Sequence, residues 1–477
     1  MKYISTRGGI KPISFSDSVM MGLADDGGLI IPEKIPKVSL DQLRLLNGMN
    51  YQNLAFQIMC QYADDIKFSD LESLIQKTYT QETFQNQSIT PLNEIDKNKY
   101  LLDLSQGPTL AFKDIALQFL GNMFEYLLEK NNGVMNILGA TSGDTGSAAI
   151  YGVRGKKRVN IFMLSPLDKM SPFQAAQMRS VLDPNVFNVA VKGVFDDCQD
   201  MVKEVNDDLE FKSRFNLGAV NSINWARVSA QIVYYFKGYF RAITQSRKKV
   251  GDLVDFAVPT GNFGDILAGY YAKEMGLPIR NLILATNEND VLDQFFKTGV
   301  YRPKKTDEVI QTSSPSMDIS KASNFERFLY YIAGEDPKAV KSLMYLSNHG
   351  GFSLLGLPLF ERVKQSGFIS GKSTERDREE IIRYVHQKSG YMIDGHTADG
   401  VKVGLQYSEE NVPLVCLETA KAAKFRDLIQ RALGIEPTIP QRYQNITSLP
   451  QRYETMEKTD VSRLKSFIEE HALKSVV

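Results

Sequence analysis

The sequence is poor in residues that build covalent or metal frameworks, with three cysteines and four histidines among 477 residues. Cys60, Cys198 and Cys416 are far apart and odd in number, which argues against a disulfide framework and favours a reducing compartment. The histidines are too dispersed to supply the paired ligands of a zinc motif. They are His349, His386, His396 and His471. We therefore expect neither disulfide bonds nor a metal site.

An excess of charge and a long apolar run are also absent. Lys plus Arg and Asp plus Glu both number 56, and no long block of one sign occurs, so we expect no nucleic acid and no anionic membrane surface as a partner. No stretch has the length and apolar character of a signal peptide or a bilayer span. These absences predict a cytoplasmic protein in which any anionic ligand is held by a local site.

The chain does contain enough apolar residues, 43%, for a large core, and its length favours two or three domains. We predict a mainly helical N-terminal domain over residues 1–95, with a capping box at 69–72 and a turn at 24–29. A smaller domain is predicted over residues 96–220. A larger domain is predicted over residues 221–477, with a helical insertion near 301–390.

From about Lys99, short apolar runs alternate with helical segments. Strands are predicted at 134–138, 159–164, 186–191, 253–258, 282–285 and 412–417. Helices are predicted at 146–151, 172–181, 196–209, 223–243, 265–275 and 422–433. This alternation predicts the α/β class, with open, mostly parallel sheets covered by helices on both faces. Ligands then bind at the carboxyl ends of the strands.

The segment 105–114 places one lysine in an unusual setting. Gly107 and Pro108 favour a turn and Ile115 begins an apolar helix, so Lys113 lies at a loop-to-helix junction. Burial there would lower the pKa of the amine, and attack on a carbonyl cofactor requires a neutral amine. Most lysines at such junctions are exposed helix starts. The interpretation of Lys113 as a reactive lysine therefore depends on two further segments.

Both further segments are loops that follow a predicted strand and are rich in small polar residues. The loop 139–147 has three glycines and four hydroxyl side chains at a helix N-terminus, which favours a carboxylate or phosphate ligand. The loop 259–265 fits a single phosphate through its main-chain N–H groups. It lacks a P-loop lysine and a dinucleotide glycine pattern. A reactive lysine with two anion loops predicts pyridoxal 5'-phosphate as cofactor.

Seven segments of the chain resemble those of threonine synthases of the longer, three-domain subgroup, including Gly-Pro-Thr-Leu-Ala-Phe-Lys-Asp at 107–114. They occur in the expected order over nearly the whole chain. The other six are 3–7, 22–29, 139–149, 220–227, 261–269 and 285–290. The resemblance implies a fold type II pyridoxal-phosphate enzyme, similar to the tryptophan synthase β-subunit.

The resemblance also implies roles for individual residues. Lys113 would form the Schiff base with the cofactor, and Thr419 would face its pyridine nitrogen. The cofactor-phosphate loop would comprise Gly261, Asn262, Phe263, Gly264 and Asp265. The substrate would be bound by Thr141, Ser142, Gly143, Asp144 and Thr145, with Lys169, Asn224 and Arg227 as candidates for its phosphate. Arg227 fits equally well as a helix arginine in a structural ion pair.

The reaction that the resemblance implies converts O-phospho-L-homoserine and water to L-threonine and phosphate. Lys113 would remove the α-proton, and loss of a β-proton would expel the γ-phosphate. Reprotonation at the γ-carbon and addition of water at the β-carbon would then give threonine. Lys113 acts repeatedly as acid and base, which requires a pKa near neutrality. We thus expect a lyase of threonine biosynthesis, acting as a monomer or homodimer.

Several residues near the expected site differ from those usual in that family. Asp168 and Glu418 would repel a doubly charged phosphate, whereas Lys421 could bind one. Glu418 could also replace Thr419 at the pyridine nitrogen, although side-chain alternation along a strand argues against this. The other differences are Gln106, Leu167, Gly395, Asp399 and Ala422.

Sequence drift in a threonine synthase is the interpretation that we favour for these differences, and two alternatives stay open. One is a diverged phospho-lyase that yields a 2-oxo acid, or an enzyme for another γ-activated amino acid. The other is a catalytically silent protein that binds the cofactor. Lys113 and the two intact loops argue against the silent protein.

Overall fold

The computed structural model describes residues 1–474, which form two compact units built on separate sheets. The strands are β1 Tyr3–Ser5, β2 Ile30–Pro32, β3 Leu92–Asp96, β4 Lys99–Asp103, β5 Met135–Ala140, β6 Val159–Pro166, β7 Val186–Lys192, β8 Leu217–Gly218, β9 Val254–Pro259, β10 Ile279–Thr286, β11 Val300–Tyr301, β12 Phe352–Ser353, β13 Phe368–Lys372, β14 Leu414–Glu418 and β15 Glu454–Glu457.

Helices precede, follow and connect these strands. The helices are α1 Phe15–Met21, α2 Leu40–Leu46, α3 Tyr51–Met59, α4 Phe68–Thr78, α5 Gln81–Phe84, α6 Lys113–Lys130, α7 Asp144–Val153, α8 Pro172–Arg179, α9 Phe195–Asp207, α10 Leu209–Arg214, α11 Trp225–Gln245, α12 Gly264–Met275, α13 Val291–Thr298, α14 Phe325–Ile332, α15 Pro337–Asn348, α16 Pro358–Gln365, α17 Glu375–Ser389, α18 Gly395–Gln406, α19 Arg426–Leu433 and α20 Val461–His471. Every strand and helix predicted between residues 134 and 433 is present, with ends shifted by a few residues.

The larger unit comprises Met1–Gln106 and Ser222–Pro437. Its six-stranded sheet has the order β13-β10-β9-β14-β4-β3, and only β3 runs antiparallel to its neighbour. Apolar side chains of α17, α18 and α19 pack on one face of this sheet. Gly238 of α11 and Gly269 of α12 lie against strand side chains of the other face, including Leu102 and Leu282. Helices therefore cover both faces, as predicted.

The smaller unit comprises Gly107–Asn221 and the chain from Thr438 onward. Its sheet has the order β15-β7-β6-β5-β8, with all pairs parallel. The apolar core under one face includes side chains of β5, β6 and β7 together with those of α9 and α20. The last strand and helix of the chain are thus integral parts of this unit.

Three sequence predictions about organisation need correction. The boundaries at 95 and 220 do not match the compact units, because β3 and β4 join the larger sheet and β15 joins the smaller one. The segment 301–390 is not a separate insertion, since β13 pairs with β10. The capping box at 69–72 is absent, because α4 already begins at Phe68 after Lys67.

The N-terminal region carries five of the helices and the antiparallel pair β1-β2. The predicted turn near Asp26 is present, and the Asp26 carboxylate stabilises it by accepting hydrogen bonds from Ser5 Oγ and the N–H groups of Gly9 and Gly28. Asp26 therefore has a structural role in this turn. Within residues 1–474, no helix is both long and apolar enough to cross a bilayer.

Candidate active site

The turn before Lys113 is built around the carboxylate of Asp114. This carboxylate accepts hydrogen bonds from the Thr109 N–H and hydroxyl, both at 2.7 Å. A Cβ on Gly107 would overlap the Asp114 side chain, which is why glycine is needed there. Lys113 is the first residue of α6 and is partly buried. The motif thus encodes a tight turn that presents one lysine at a helix start.

Distant side chains of the smaller unit hold the carbonyls of the same turn. Arg442 donates to the Gly107 carbonyl, Tyr443 donates to the Pro108 carbonyl, and Gln177 Nε2 donates to the Thr109 carbonyl at 3.2 Å. The sequence reasoning missed all three donors, because no motif marks them. They restrain the turn that carries Lys113.

The loop at the carboxyl end of β5 contains the predicted substrate-binding residues of the smaller unit. Thr141 is buried, and its hydroxyl accepts hydrogen bonds from the N–H groups of Gly143 and Gly146 at 3.0 and 2.9 Å. Asp144 accepts from Gln174 at 3.0 Å. Ser142 is exposed and Thr145 is partly exposed. The Thr141 and Asp144 side chains therefore shape the loop, whereas Ser142 and Thr145 remain accessible at the start of α7.

Lys169 follows β6 in the same unit and is exposed. It lines an open cleft of about 510 Å³ with Lys192 and Lys458, which are paired with Glu457 and Asp197 respectively. The preceding residue, Asp168, has a φ of 57°. Glycine adopts this left-handed conformation without a steric penalty, and aspartate is one of the few other residues that tolerate it.

The cofactor-phosphate loop predicted from the sequence lies in the larger unit between β9 and α12. Phe263 has a φ of 65°, and a Cβ on Gly261 would meet the Ser316 carbonyl oxygen at 2.8 Å. In the described chain, the N–H groups of residues 261–264 donate to no protein acceptor. Unpaired N–H groups at a helix N-terminus are what a phosphate requires. The loop therefore fits the phosphate of the predicted cofactor.

Asp265, the last predicted residue of this loop, uses its side chain elsewhere. Its buried carboxylate accepts hydrogen bonds from Tyr234 at 2.5 Å and Tyr235 at 3.0 Å. Burial raises its pKa to about 6, against the effect of the two tyrosine hydrogen bonds. Only the main chain of Asp265 is thus available to an anion.

Thr419 directly follows β14, which is adjacent to β9 in the larger sheet. Because the two strands are parallel, Thr419 and the phosphate loop lie at the same edge of the sheet. The Thr419 N–H donates to Thr397 Oγ1 at 3.3 Å. Two predicted cofactor contacts that are far apart in sequence therefore belong to one end of this sheet.

Arg227 and Asn224, both predicted phosphate contacts, differ in what their side chains do. Asn224 caps α11 by accepting from the Ala226 N–H at 3.0 Å and donates to the Val19 carbonyl at 2.8 Å. Arg227 is 4% exposed, and its Nε and Nη1 atoms have no hydrogen-bond partner in the described chain. Burial lowers its pKa to about 10. Asn224 is structural, whereas Arg227 is a buried cation with no partnering acid.

Three residues that differ from those usual in the family form one network with Asp103: Gln106, Glu418 and Lys421. Asp103 and Glu418 are fully buried, whereas Gln106 and Lys421 are partly buried. Lys421 Nζ lies 2.5 Å from Asp103 Oδ2 and 2.7 Å from Glu418 Oε1, while Gln106 donates to Asp103 at 2.5 Å. Burial and the Asp103 charge raise the pKa of Glu418 to about 8. Lys421 is thus neutralised by carboxylates, which corrects the prediction that it could bind a phosphate, and Glu418 is engaged by Lys421.

Asp399 and Gly395 also fit local demands of the fold. Asp399 pairs at 3.1 Å with the fully buried guanidinium of Arg378, which also contacts Glu288. A Cβ on Gly395 would meet the Ser313 carbonyl oxygen at 2.7 Å. Each of these differences therefore has a structural explanation.

Comparison with known proteins identifies the family. Three family models match the chain: threonine synthase N terminus at residues 2–79, pyridoxal-phosphate dependent enzyme at 84–338, and threonine synthase C-terminal at 397–468. A threonine synthase from Methylobacillus glycogenes is 53% identical, covering 99% of this chain and 100% of that protein. The chain belongs to the threonine synthase family.

Solved structures of threonine synthases have the same fold. The pyridoxal-phosphate-bound threonine synthase of Brucella melitensis is 41% identical, with a TM-score of 0.94 over 99% of both chains. Yeast threonine synthase is also 41% identical, with a TM-score of 0.93 over 98% of both chains. The predicted family, the α/β fold type II and the dependence on pyridoxal phosphate are confirmed. The chain is therefore a pyridoxal-phosphate-dependent lyase of the threonine synthase family.

Proposed function

We propose that this enzyme converts O-phospho-L-homoserine and water to L-threonine and phosphate, with Arg227 as a contact for the substrate phosphate. The observation that carries the phosphate assignment is the buried Arg227 guanidinium, because it lacks an acid partner in the described chain. A buried cation without a partner is costly unless a ligand neutralises it. A phosphate that binds there would provide that compensation.

The position of Arg227 on α11 supports this assignment. Arg227 and Tyr234 are seven residues apart, so they lie on the same face of the helix. Tyr234 donates to Asp265, which is the last residue of the cofactor-phosphate loop and lies in the first turn of α12. The guanidinium therefore belongs to the helix face that packs towards this loop.

The residues 261–264 would hold the cofactor phosphate through their N–H groups, and the Thr419 hydroxyl would face the pyridine nitrogen. When bound, pyridoxal phosphate supplies an aldehyde for amine attachment and a ring that delocalises negative charge from the substrate carbons. A hydroxyl at the pyridine nitrogen, unlike a carboxylate, leaves that nitrogen largely neutral. Thr419 thus moderates the electron-withdrawing strength of the ring.

Lys113 would attach the cofactor and then move protons at the substrate α-carbon. Its place at the start of α6 is restrained by the Asp114-centred turn and by Arg442 and Tyr443. A restrained amine keeps one position through successive proton transfers. The accessible Ser142 and Thr145 would receive the amino-acid part of the substrate.

Release of phosphate and formation of threonine from O-phospho-L-homoserine test the proposed reaction. We expect equal amounts of both products from the holoenzyme and neither from Lys113→Ala. Mass analysis separates threonine from 2-oxobutanoate, which a diverged phospho-lyase would form. Phosphate without threonine, or no phosphate at all, would contradict the proposal, and the latter result would support a silent cofactor-binding protein.

Substitution of Arg227 tests the phosphate contact separately. Arg227→Gln removes the charge and keeps a polar side chain, so we expect the KM for the substrate to rise at least tenfold. The dissociation constant of pyridoxal phosphate should change by less than threefold. A larger effect on cofactor binding than on KM would assign Arg227 to the cofactor phosphate. We also propose a cytoplasmic location and a monomeric or homodimeric state.

A further inference from the structure

His396 lies at the start of α18. Among the histidines that the structure describes, it alone has hydrogen bonds at both ring nitrogens. It is 3% exposed. Its Nε2 accepts from the Ser316 N–H at 3.0 Å, and its Nδ1 lies 2.5 Å from Asp394 Oδ2. Because a main-chain N–H can only donate, Nε2 carries the lone pair and Nδ1 carries the proton. The ring is therefore a neutral bridge with a defined tautomer.

The Ser316 end of this bridge reaches the cofactor-phosphate loop. Ser316 belongs to a short 3-10 helix, Pro315–Met317, which is one turn long. The carbonyl oxygen of Ser316 and the Cα atom of Met317 lie so close to Gly261 that a Cβ there would approach them to 2.8 and 3.1 Å. Gly261 therefore packs directly against the main chain of this 3-10 helix. A shift of the turn would change the direction of the neighbouring N–H groups.

The Asp394 end of the bridge is firmly held. Asp394 caps α18 by accepting from the N–H groups of His396 and Thr397 at 3.1 and 3.0 Å. It also accepts from the Thr397 hydroxyl at 2.5 Å, and the Thr397 oxygen accepts from the Thr419 N–H. The ring orientation of His396 is therefore set by a rigid helix start. The same carboxylate is linked to the residue that follows β14.

We propose that His396 is a positioning residue for the cofactor phosphate: it acts through Ser316 to hold the 259–265 loop in its phosphate-binding shape. It touches neither substrate nor cofactor in this role. The inference rests on the proposed place of the cofactor phosphate in that loop, and it adds a cause for the loop's shape. It requires the Nε2 acceptor, whereas the Nδ1 proton serves only to orient the ring.

Three substitutions of His396 test whether the Nε2 acceptor is needed, because His396→Gln can be compared with His396→Met and with His396→Asn. In His396→Gln the amide oxygen can take the place of Nε2 and accept from Ser316. In His396→Met the side chain has similar length and volume but no comparable acceptor, and in His396→Asn the amide reaches Asp394 but not Ser316. Loss of one buried acceptor corresponds to about a tenfold change in an equilibrium constant.

The readout is the ratio of the dissociation constants of pyridoxal and pyridoxal phosphate, measured by absorbance titration of the apoenzyme. Both probes present the same aldehyde to Lys113, and only one carries a phosphate. We expect His396→Met and His396→Asn to reduce this ratio about tenfold, and His396→Gln to keep it within threefold of wild type. Thermal unfolding of each apoenzyme checks that the variants fold.

A ratio that stays unchanged in both His396→Met and His396→Asn would overturn the proposal. So would an equal reduction in the glutamine and methionine variants, since this would indicate a role in folding alone. Both results are independent of the reaction catalysed. Failure of threonine formation would therefore contradict the proposed function without bearing on the role of His396.

Discussion

Single residues near the site acquire their meaning from their partners. Asp103 and Glu418 occupy the same register of β4 and β14, and two buried carboxylates at such a position would repel each other. The Lys421 ammonium between them relieves this repulsion, and Gln106 adds a hydrogen bond to Asp103. Three differences from the usual family residues therefore compensate one another, which supports drift rather than a changed substrate.

Glu418→Gln should remove a specific pH dependence of stability. The pKa of Glu418 is raised to about 8, whereas an unfolded glutamate has a pKa of about 4.3. The folded-state proton therefore stabilises the protein fully below pH ~4.3, and this contribution is lost as the pH rises through about 8. The free energy of unfolding of wild type should fall relative to Glu418→Gln across this window, by at most about 1.4 kcal/mol per pH unit.

Urea unfolding of the apoenzymes between pH 5 and 8.5 measures this difference. The matched control is Glu361→Gln, because Glu361 is 63% exposed in a surface pair. Lys421→Met provides the contrast, since it leaves Asp103 and Glu418 without their cation and should cost about 3–5 kcal/mol. Parallel pH curves for wild type and Glu418→Gln would contradict the assignment of the proton to Glu418.

At the scale of elements, the predicted strands were those with strong apolar character. β6 is buried along its whole length and β7 along most of it, and both strands were predicted within two residues of their ends. β15 has only Met456 buried, and β13 contains Gly371, so neither carries a periodic apolar signal. Both are edge strands, and pairing with a preformed neighbour decides their structure.

Leu464→Ala should destabilise the smaller unit through the loss of core packing by α20. Leu464 is fully buried and belongs to the apolar cluster with Phe162 and Val189. Removing a buried leucine side chain costs about 2–5 kcal/mol. Thermal and denaturant unfolding should reveal this loss. The control is Leu209→Ala in α10, where the leucine is 73% exposed and a change below about 0.5 kcal/mol is expected. Equal effects of the two substitutions would refute a core role for α20.

At the scale of the whole molecule, neither compact unit is a continuous stretch of chain. The smaller one needs residues 107–221 together with the chain from Thr438 onward. The C-terminal part supplies β15, which pairs with β7, and α20, which packs on the apolar face of the sheet. The predicted boundaries at 95 and 220 assumed that each domain is one continuous stretch, so they missed that each unit combines two separate stretches of the chain.

Truncation after Pro437 should therefore damage the smaller unit although its central strands remain. Loss of β15 and α20 exposes the apolar cluster, so we expect increased binding of a hydrophobic dye and a lower unfolding temperature. Addition of a peptide covering residues 438–474 should partly reverse the dye signal. A truncated chain with wild-type stability and no dye binding would show that the C-terminal elements are dispensable for this unit.

The sequence alone determined the alternation of strands and helices, the lysine-bearing turn, the glycine-rich loop at 259–265 and the family. These features depend on residues that are close together in the chain, such as Thr109 with Asp114. Only the tertiary structure decided which charges meet. Asp103 and Lys421 are 318 residues apart, and Arg227 lacks an acid partner in the described chain. Hydrogen bonds and ion pairs require contact at about 3 Å, and folding rather than sequence spacing brings such groups together.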